Sequence, residues 1–554
     1  MCLRPEEIPI VPYQTARVAA LAFPKGNLYM RLRDELGVLY QDENFVSLYP
    51  QKGQSAQAPW RLAMVLVMQF LENLSDRQAV EAVRGRIDWK YALSLELTDS
   101  GFDYSVLSEF RARLIQGNAE HKLLEQMLKR FQELKLLPTR GKQRTDSTHV
   151  LAVVRELSRL EHLGETLRAA LNAIAVVAPT WLQSIAPNEW YDRYVKRFED
   201  SRLPKTVAQR TALAETIGMD GFHLLDAIYT QTAPMELRKL AAVEILRCCW
   251  LQQYYAPTDN KVQLRNKSDG PPSALRIWSP YEDEARNSTK RTTKWTGYKV
   301  HLTESCDQDL PHIITHVETT PATTQDQAVV PEIHQALAEK DLLPEQHLVD
   351  RGYTSAELLT NSERDFQVDL FGPVSENVGW QAKAGLGFDL SHFQIDWQQK
   401  AAYCPQGKRS YLWKKNKDIY GKPIIYIEFR ASDCRSCPVR SQCTRAKTNP
   451  RGLTIRRQQD YESLEKARTR QKTEQFQQQY ALRSGIEGTL SQGIRAFGLR
   501  HCRYRGQAKT HLQHLLTAVA MNLVRVFAWF EEVPLAQTRC SRFALLAPSQ
   551  PQSG

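Results

Sequence analysis

Strand-like patterns occur in two groups far apart along the chain, and this separation limits the folds that the chain can adopt. The first group is one stretch rich in Thr and Val, GKQRTDSTHVLAVV at 141 to 154. The second group starts near residue 296 and consists of TGYKVHLTES (296–305), HIITHVETT (312–320), HLVD (347–350) and VDLFGPV (368–374). A helical pattern at 326 to 340 divides the second group. This order predicts a mixed α/β sheet.

Helical periodicity surrounds and interrupts the predicted sheet. Residues 155 to 270 are predicted to be a helical insertion in the sheet, because they separate the first predicted strand from the others. The chain is predicted to divide as follows: a helical N-terminal domain (1–140), the first part of the mixed α/β core with its insertion (141–374), a basic insertion containing cysteines (375–460), the second part of the core (461–535) and a flexible tail (536–554).

The N-terminal helices have two interpretations. Short helices separated by turns are typical of a helix-turn-helix DNA module, and the arginines available to contact phosphates are Arg77, Arg84, Arg86, Arg111 and Arg113. A helical bundle with a solvated charged face fits the same pattern. Ser75 and Ser105 are predicted to cap two of the helices, and only Ser75, with Gln78, fits a capping box.

Positive charge is concentrated in one part of the chain. The formal net charge of the whole sequence is +11, yet residues 405 to 510 alone carry 24 Lys and Arg against 8 Asp and Glu. A local positive field of this kind is typical of a surface that binds a polyanion, most often nucleic acid. A solvated Lys and Arg surface that keeps the chain soluble is the alternative.

Several protein classes are disfavoured. The N-terminal MCLRPEEIPIVPYQ lacks the basic and apolar regions of a signal peptide, and no continuous apolar run is as long as a membrane span. The phosphate loop GxxxxGK[ST], the dinucleotide motif GxGxxG, the zinc-protease motif HExxH and the hydrolase motif GxSxG are absent. The sequence therefore predicts a cytoplasmic protein that is not an ATP-driven motor, a dinucleotide oxidoreductase or an elbow-type serine hydrolase.

Two aspartates lie in or at the end of predicted strands, where aspartate is uncommon. Asp146 is inside the first strand, for which Asp has a poor propensity. Asp350 ends a short apolar strand and is followed by Arg351, Gly352 and Tyr353. Carboxylates at the ends of neighbouring strands can converge on a hard cation such as Mg²⁺, which prefers oxygen ligands.

A third carboxylate lies in a helical segment near the C-terminus. Tyr480, Arg483, Glu487 and Ser491 have the spacing of one helix face. In such a group the carboxylate is suited to bind a metal ion, and the guanidinium and the phenol are suited to bind an adjacent phosphate. Taken alone, an Arg–Glu pair on a solvated helix surface explains the spacing equally well.

Together, the three segments resemble the DDE transposases of bacterial insertion sequences. The aspartates of TDSTHV and HLVDRGY match the two Asp residues of that family, and Tyr480, Arg483 and Glu487 match its Tyr-x2-Arg-x3-Glu signature. The family signature continues with a basic residue after six intervening positions. Here Ile494 stands at that position and Arg495 follows it.

The resemblance implies a fold, a site and its cofactors. The fold is an RNase H-like mixed α/β core with a helical insertion, preceded by an all-α N-terminal domain. Asp146, Asp350 and Glu487 would hold two Mg²⁺ or Mn²⁺ ions. The residues expected to contact the DNA phosphate are Tyr480, Arg483, Arg495 and Lys509.

Four cysteines lie in the basic insertion. Cys434, Cys437 and Cys443 are close in sequence, with Cys404 about thirty residues upstream, and only one pair forms a CxxC. Four thiolates are the ligand set of a structural zinc ion. Four reduced thiols in a small packed subdomain are the alternative.

The resulting functional prediction is a transposase that binds the terminal inverted repeats of its element, cleaves at the 3′ ends and joins them to target DNA. Its predicted partners are double-stranded DNA and a second copy of the chain on that DNA, with no membrane, and its predicted location is the bacterial cytoplasm at the nucleoid. Two alternatives remain: an RNase H-like metal-dependent endonuclease without strand transfer, and a catalytically silent DNA-binding protein derived from a transposase.

Overall fold

The computed structural model describes residues 2–154, 157–257, 261–377, 379–385 and 387–534. It has a mixed α/β architecture in which a helical N-terminal part packs on a mixed sheet, and this confirms the predicted fold class at that level. The tail predicted at 536–554 lies outside the described residues.

The N-terminal part is helical, as its periodicity predicts. Its helices are α1 (Tyr13–Ala22), α2 (Leu28–Arg31), α3 (Pro59–Leu71), α4 (Asp76–Gly85), α5 (Ile87–Ala92), α6 (Ser105–Gln116) and α7 (Lys122–Glu133). Ser75 forms the predicted capping box with Gln78. The prediction for Ser105 is wrong: it is the first residue of α6, and its backbone N–H donates to Asp103 at 2.8 Å.

The largest sheet has both parallel and antiparallel pairs. Its strands are β1 (Lys142–Leu151), β2 (Arg286–Lys290), β3 (Thr293–Ser305), β4 (Ile314–Pro321), β5 (Gln346–Val349) and β6 (Asp369–Phe371). The long strand β3 pairs antiparallel with β1 on one side and with both β2 and β4 on the other. Strands β1, β5 and β6 run parallel, so the order across the sheet is β4, β3, β1, β5, β6.

The chain between β1 and β2 forms a helical unit with its own core. Its helices are α8 (Arg159–Val177), α9 (Pro179–Ile185), α10 (Asn188–Tyr194), α11 (Val207–Ile228) and α12 (Ala241–Gln253). Their apolar side chains, among them Leu163, Ile217 and Trp250, form a cluster separate from the one beneath the sheet. The insertion therefore has its own apolar core.

The chain after β4 forms the second half of the fold. Two helices, α13 (Val330–Ala338) and α14 (Ala356–Phe366), lie on either side of β5 in sequence. The basic cysteine-containing region follows, with α15 (Trp380–Ala384), β7 (Gln394–Asp396), β8 (Ala401–Tyr403), β9 (Leu412–Lys417), β10 (Pro423–Glu428), α16 (Ala431–Arg435), α17 (Arg440–Cys443) and β11 (Gly452–Ile455). The last helices are α18 (Gln458–Gln471), α19 (Glu474–Ala481), α20 (Gly485–Phe497) and α21 (Gln507–Phe530).

Helix α21 joins the N-terminal helices to the sheet. It packs against β4, α3 and α7, and the Asn522 side chain bonds both the N–H and the C=O of Ile314. Among the described helices, α21 alone is long and apolar enough to cross a membrane, but 78% of its most apolar window is buried inside the fold. Its apolar character is therefore that of a core helix.

Candidate active site

The parallel register of β1 and β5 brings two aspartates together. Thr145 of β1 is paired with Val349 of β5, so the residues that follow them, Asp146 within β1 and Asp350 just beyond the end of β5, lie side by side. Asp146 accepts a hydrogen bond from the N–H of Ser147, and Asp350 accepts one from the N–H of Gly352, both at 2.7 Å. Each carboxylate thus has one oxygen fixed by the local backbone.

The segment that carries Arg483 and Glu487 differs from the single helix expected. Helix α19 ends at Ala481, a 3-10 turn covers Leu482–Ser484, and α20 begins at Gly485. Because the backbone of this turn stays close to helical angles, Arg483 still reaches Glu487 at 3.1 Å. Its other terminal nitrogen donates to Asp146 at 2.5 Å, so one guanidinium bridges two of the predicted catalytic carboxylates.

The charges of the predicted centre, which consists of Asp146, Asp350, Tyr480, Arg483 and Glu487, influence one another. Burial raises the pKa of Asp146, and the charge of Asp350 adds to this shift while Arg483 opposes it. Burial alone would lower the pKa of Arg483, but Asp146 and its other neighbours Tyr480, Asp350 and Glu487 raise it above the ordinary value. The structure therefore brings the three carboxylates, the arginine and the tyrosine into one interacting group.

Aromatic stacking orients Tyr480. Its ring stacks on Phe476 with 5.5 Å between centroids, and Phe476 stacks in turn on Phe371 of β6 at 4.7 Å. Burial raises the pKa of the Tyr480 phenol. The hydroxyl therefore stays protonated at neutral pH and is able to donate a hydrogen bond.

A buried arginine fixes the turn that carries Arg483. Arg144 donates to the carbonyl of Leu482 at 2.5 Å and is held by the buried carboxylate of Glu304. This approach requires Gly485, because a Cβ at that position would lie 2.1 Å from the Arg144 guanidinium. The placement of Arg483 thus depends on two residues that do not touch the site carboxylates.

We expect Gly485→Ala to lower the stability of the fold and the activity of the site. An extra methyl group in a filled space costs about 1–3 kcal/mol, and here it would push Arg144 away from both Leu482 and Glu304. Urea denaturation gives the change in the free energy of unfolding. Gly488→Ala is the matched control, since a Cβ at Gly488 in the same helix meets no atom within 4 Å. Equal stability of the two variants would contradict the role of Gly485.

A fourth carboxylate lies beside the predicted centre and was missed by the sequence reasoning. Asp326 forms an ion pair with Lys299 at 2.9 Å and accepts from the Ser147 hydroxyl at 3.5 Å. A Cβ on Gly352 would lie 2.9 Å from an oxygen of Asp350 and 3.2 Å from one of Asp326, so the two carboxylates are neighbours. In sequence, Asp326 looked like an ordinary residue at the start of the predicted helix, and no local pattern singled it out.

Two predicted phosphate contacts lie apart from this group. Arg495 is exposed in the last turn of α20, and Lys509 is exposed in the first turn of α21. Ile494 packs against the hydrophobic core, so the side chain at the signature position points inward and Arg495 points outward. Two cations missed by sequence, Lys290 and Arg500, instead lie near β1, where Arg500 donates to Thr148 at 2.9 Å.

The carboxylates match magnesium in donor type but are not gathered around one ion position. Within the described ranges, no three His, Cys, Asp or Glu side chains are close enough together to hold a metal ion. The sequence led us to expect such a position, and the structure instead has the Arg483 guanidinium between Asp146 and Glu487. A set of oxygen donors remains the chemistry that Mg²⁺ and Mn²⁺ prefer.

The four cysteines of the basic region surround one cavity of about 310 Å³, lined by Cys404, Cys434, Cys437 and Cys443. Burial raises the pKa of Cys443 to about 11, and the other three thiols add to the shift. All cysteines within the described residues are free thiols, and three of the four pack against the small apolar core around Ile427. Four thiols are a suitable donor set for zinc, and the zinc site stays a prediction because they are not drawn together into a metal-binding group.

Two protein-family models match separate parts of the chain. A model described as a transposase DDE domain matches residues 403–527, and a model described as a transposase domain (DUF772) matches residues 20–113. The first segment includes Tyr480, Arg483 and Glu487, whereas Asp146 and Asp350 lie outside both segments. No curated protein and no solved structure matches the chain significantly. The two matches confirm the resemblance to DDE transposases of insertion elements.

Proposed function

We propose that this DDE transposase binds the terminal inverted repeats of its insertion element, cleaves the DNA at the 3′ ends and joins those ends to target DNA. The observation that carries the proposal is the meeting of Asp146, Asp350, Glu487, Arg483 and Tyr480, which come from β1, the end of β5 and the α19–α20 segment. Residues so far apart in sequence meet at the point where the resemblance expects the catalytic centre.

The strand order supports an RNase H-like core. Three antiparallel strands, β4, β3 and β1, continue into the parallel strands β5 and β6. Asp146 lies on the first strand of the core and Asp350 directly follows the fourth strand of the β4–β3–β1–β5–β6 series. Helix α20, which carries Glu487, packs against β1. These are the strands and the helix to which the resemblance assigns the three carboxylates.

We assign Asp146, Asp350 and Glu487 as the residues that would hold two divalent ions. Such a pair of ions, when bound, activates the attacking oxygen and stabilises the leaving oxygen during in-line displacement at phosphorus. Asp146 is buried beside Asp350 and would be suited to share its charge between the two ions, while Glu487, whose side chain is 67% exposed, is free to adjust its position.

Arg483 and Tyr480 are assigned to the DNA phosphate next to the scissile bond. A guanidinium binds phosphate through two parallel hydrogen bonds, and a protonated phenol adds a neutral donor. In the free chain, Arg483 neutralises Asp146 and Glu487. We infer that it exchanges these carboxylates for phosphate when DNA is bound.

Salt dependence tests the assignment of the basic region to DNA. A protein that contacts 6–10 phosphates loses about 10³–10⁵ in affinity between 50 and 200 mM salt, and each lost contact lowers the slope of log K against log salt by about 1. We expect Arg435→Gln and Lys447→Gln, at exposed positions of this region, each to lower the slope. Fluorescence anisotropy with a labelled duplex measures the affinity at each salt concentration, and the slope follows from these affinities.

Lys196→Gln is the control for these two variants, because Lys196 is exposed on the helical insertion, away from the basic region. A slope that falls equally in all three variants would contradict a DNA contact confined to residues 405–510. A duplex that carries the DNA flanking the gene then distinguishes transposition from simple hydrolysis. The proposal expects labelled ends to appear in a larger joined product, whereas a nuclease without strand transfer gives shortened fragments only.

A further inference from the structure

A β-hairpin in the basic region exposes two apolar side chains at its tip. Strands β9 and β10 are joined by the turn Asp418-Ile419-Tyr420-Gly421-Lys422, in which Ile419 is 90% exposed and Tyr420 is 81% exposed. Apolar residues of this size cost free energy when they face water, about 25 cal/mol for each Å². Two such residues next to each other at a projecting tip indicate a surface that is covered in a complex.

Hydrogen bonds hold the tip in one shape. The Asp418 carboxylate accepts from the backbone N–H groups of Tyr420 and Lys422, both at 2.9 Å, and the Gly421 N–H donates to the Asp418 carbonyl at 2.9 Å. Gly421 has φ +76°, a conformation that favours glycine. Arg456 binds the second carboxylate oxygen of Asp418 at 3.3 Å. The two apolar side chains are therefore presented by a fixed turn.

The surroundings of the tip are strongly cationic. Strand β9 is an edge strand, and its Lys414, Lys415 and Lys417 are exposed, while Lys422 is the last residue of the turn. The acidic residue of the turn, Asp418, is already neutralised by Arg456. A surface of this charge is complementary to a polyanion and unfavourable for an ordinary apolar protein interface, in which lysine is depleted.

The hairpin approaches the helix that follows the Asp350 loop of the candidate active site. Lys422 approaches Glu357 at 3.8 Å, and Glu357 is in the first turn of α14, the helix that follows the Asp350 loop. A duplex that reaches the carboxylates with its phosphates is therefore near the hairpin as well.

We propose that the hairpin tip is a DNA wedge: Ile419 and Tyr420 enter between base pairs of a duplex bound at the candidate active site, and the surrounding lysines bind the flanking phosphates. Apolar wedges of this kind unstack a base step and kink the duplex by about 20–90°. The inference rests on the proposed function, since it requires the chain to bind DNA. It adds to that function a site that deforms the bound duplex.

The test uses the full chain in EDTA with a duplex that spans one end of the element and carries 2-aminopurine at successive positions. Unstacking raises 2-aminopurine fluorescence, and a donor and acceptor on the duplex ends report the bend. We expect the wild type to unstack one step and bend the duplex. Ile419→Ser/Tyr420→Ser should lose both signals while it keeps the salt slope of binding, because the lysines are unchanged.

The matched control replaces a second exposed pair of the same character, Tyr191→Ser/Val195→Ser on and just after α10. This variant should behave as the wild type. Undiminished unstacking and bending by the tip variant would overturn the wedge, and so would binding of the tip to phosphatidylglycerol vesicles with the duplex left straight. Absence of any salt-dependent binding by the wild type would instead overturn the proposed function itself.

Discussion

Asp146→Asn, Asp350→Asn and Glu487→Gln should each abolish metal-dependent cleavage while leaving DNA affinity largely unchanged. Each substitution removes a charge needed to hold a divalent ion and keeps the size of the side chain. Loss of one group that stabilises the transition state electrostatically lowers rates by about 10²–10³, and loss of an ion itself should exceed this. Single-turnover cleavage of a labelled end, with binding measured in EDTA, separates the two effects.

The matched control for these variants is Asp309→Asn, because Asp309 is exposed in the connection between β3 and β4. It should cleave as the wild type does. Cleavage retained by any one of the three variants would remove that residue from the centre. A variant that loses DNA affinity as well would indicate that its carboxylate positions Arg483 or the fold rather than an ion.

Glu304→Gln should cause the largest loss of stability. The Glu304 carboxylate is completely buried and binds Arg144, Arg525 and the Thr489 hydroxyl at 2.6–2.7 Å. A neutral amide leaves two guanidinium groups without their counter-charge. Breaking a buried ion pair in this way costs about 3–5 kcal/mol, a large share of the 5–15 kcal/mol by which domains are usually stable.

The stability lost in Glu304→Gln should be larger at neutral pH than in acid. Burial alone would raise the pKa of Glu304, but Arg525, Arg144 and Thr489 outweigh it and hold this pKa below its ordinary value of 4.5. A depressed pKa contributes stability that is present above the ordinary value and is lost as the pH falls through the lowered one. The difference in the free energy of unfolding between the wild type and Glu304→Gln is therefore largest at neutral pH and becomes smaller in acid.

Urea denaturation at pH 7 and at successively lower pH measures this difference. Glu363→Gln is the control, because its ion pair with Lys466 is on the surface and spans 3.8 Å. Its denaturation midpoint should stay close to that of the wild type. A Glu304 variant as stable as the control, or a difference that grows in acid, would contradict the stabilising role of the ion pairs.

Local sequence patterns predicted five of the six strands of the largest sheet, all except β2, and they located the helical insertion. Asp146 was visible because it interrupts a Thr- and Val-rich strand, and Asp350 because it ends an apolar one. Their neighbouring positions follow from the parallel pairing of Thr145 with Val349, which the sequence does not state. The break between α19 and α20 was also hidden, since helical spacing continues through the 3-10 turn.

Tertiary structure decided which charges meet. Asp326 resembled a helix-start residue until β3 placed Lys299 beside it, and Gly485 resembled any glycine until Arg144 was found against it. Arg483 was expected to face Glu487 and in fact binds Asp146 as well. Periodicity and propensity report interactions between residues a few positions apart, so the sequence by itself determined the order of the elements along the chain and singled out three carboxylates as candidates. Contacts across more than a hundred residues depend on how those elements pack, so the structure alone decided that Arg483 bridges Asp146 and Glu487.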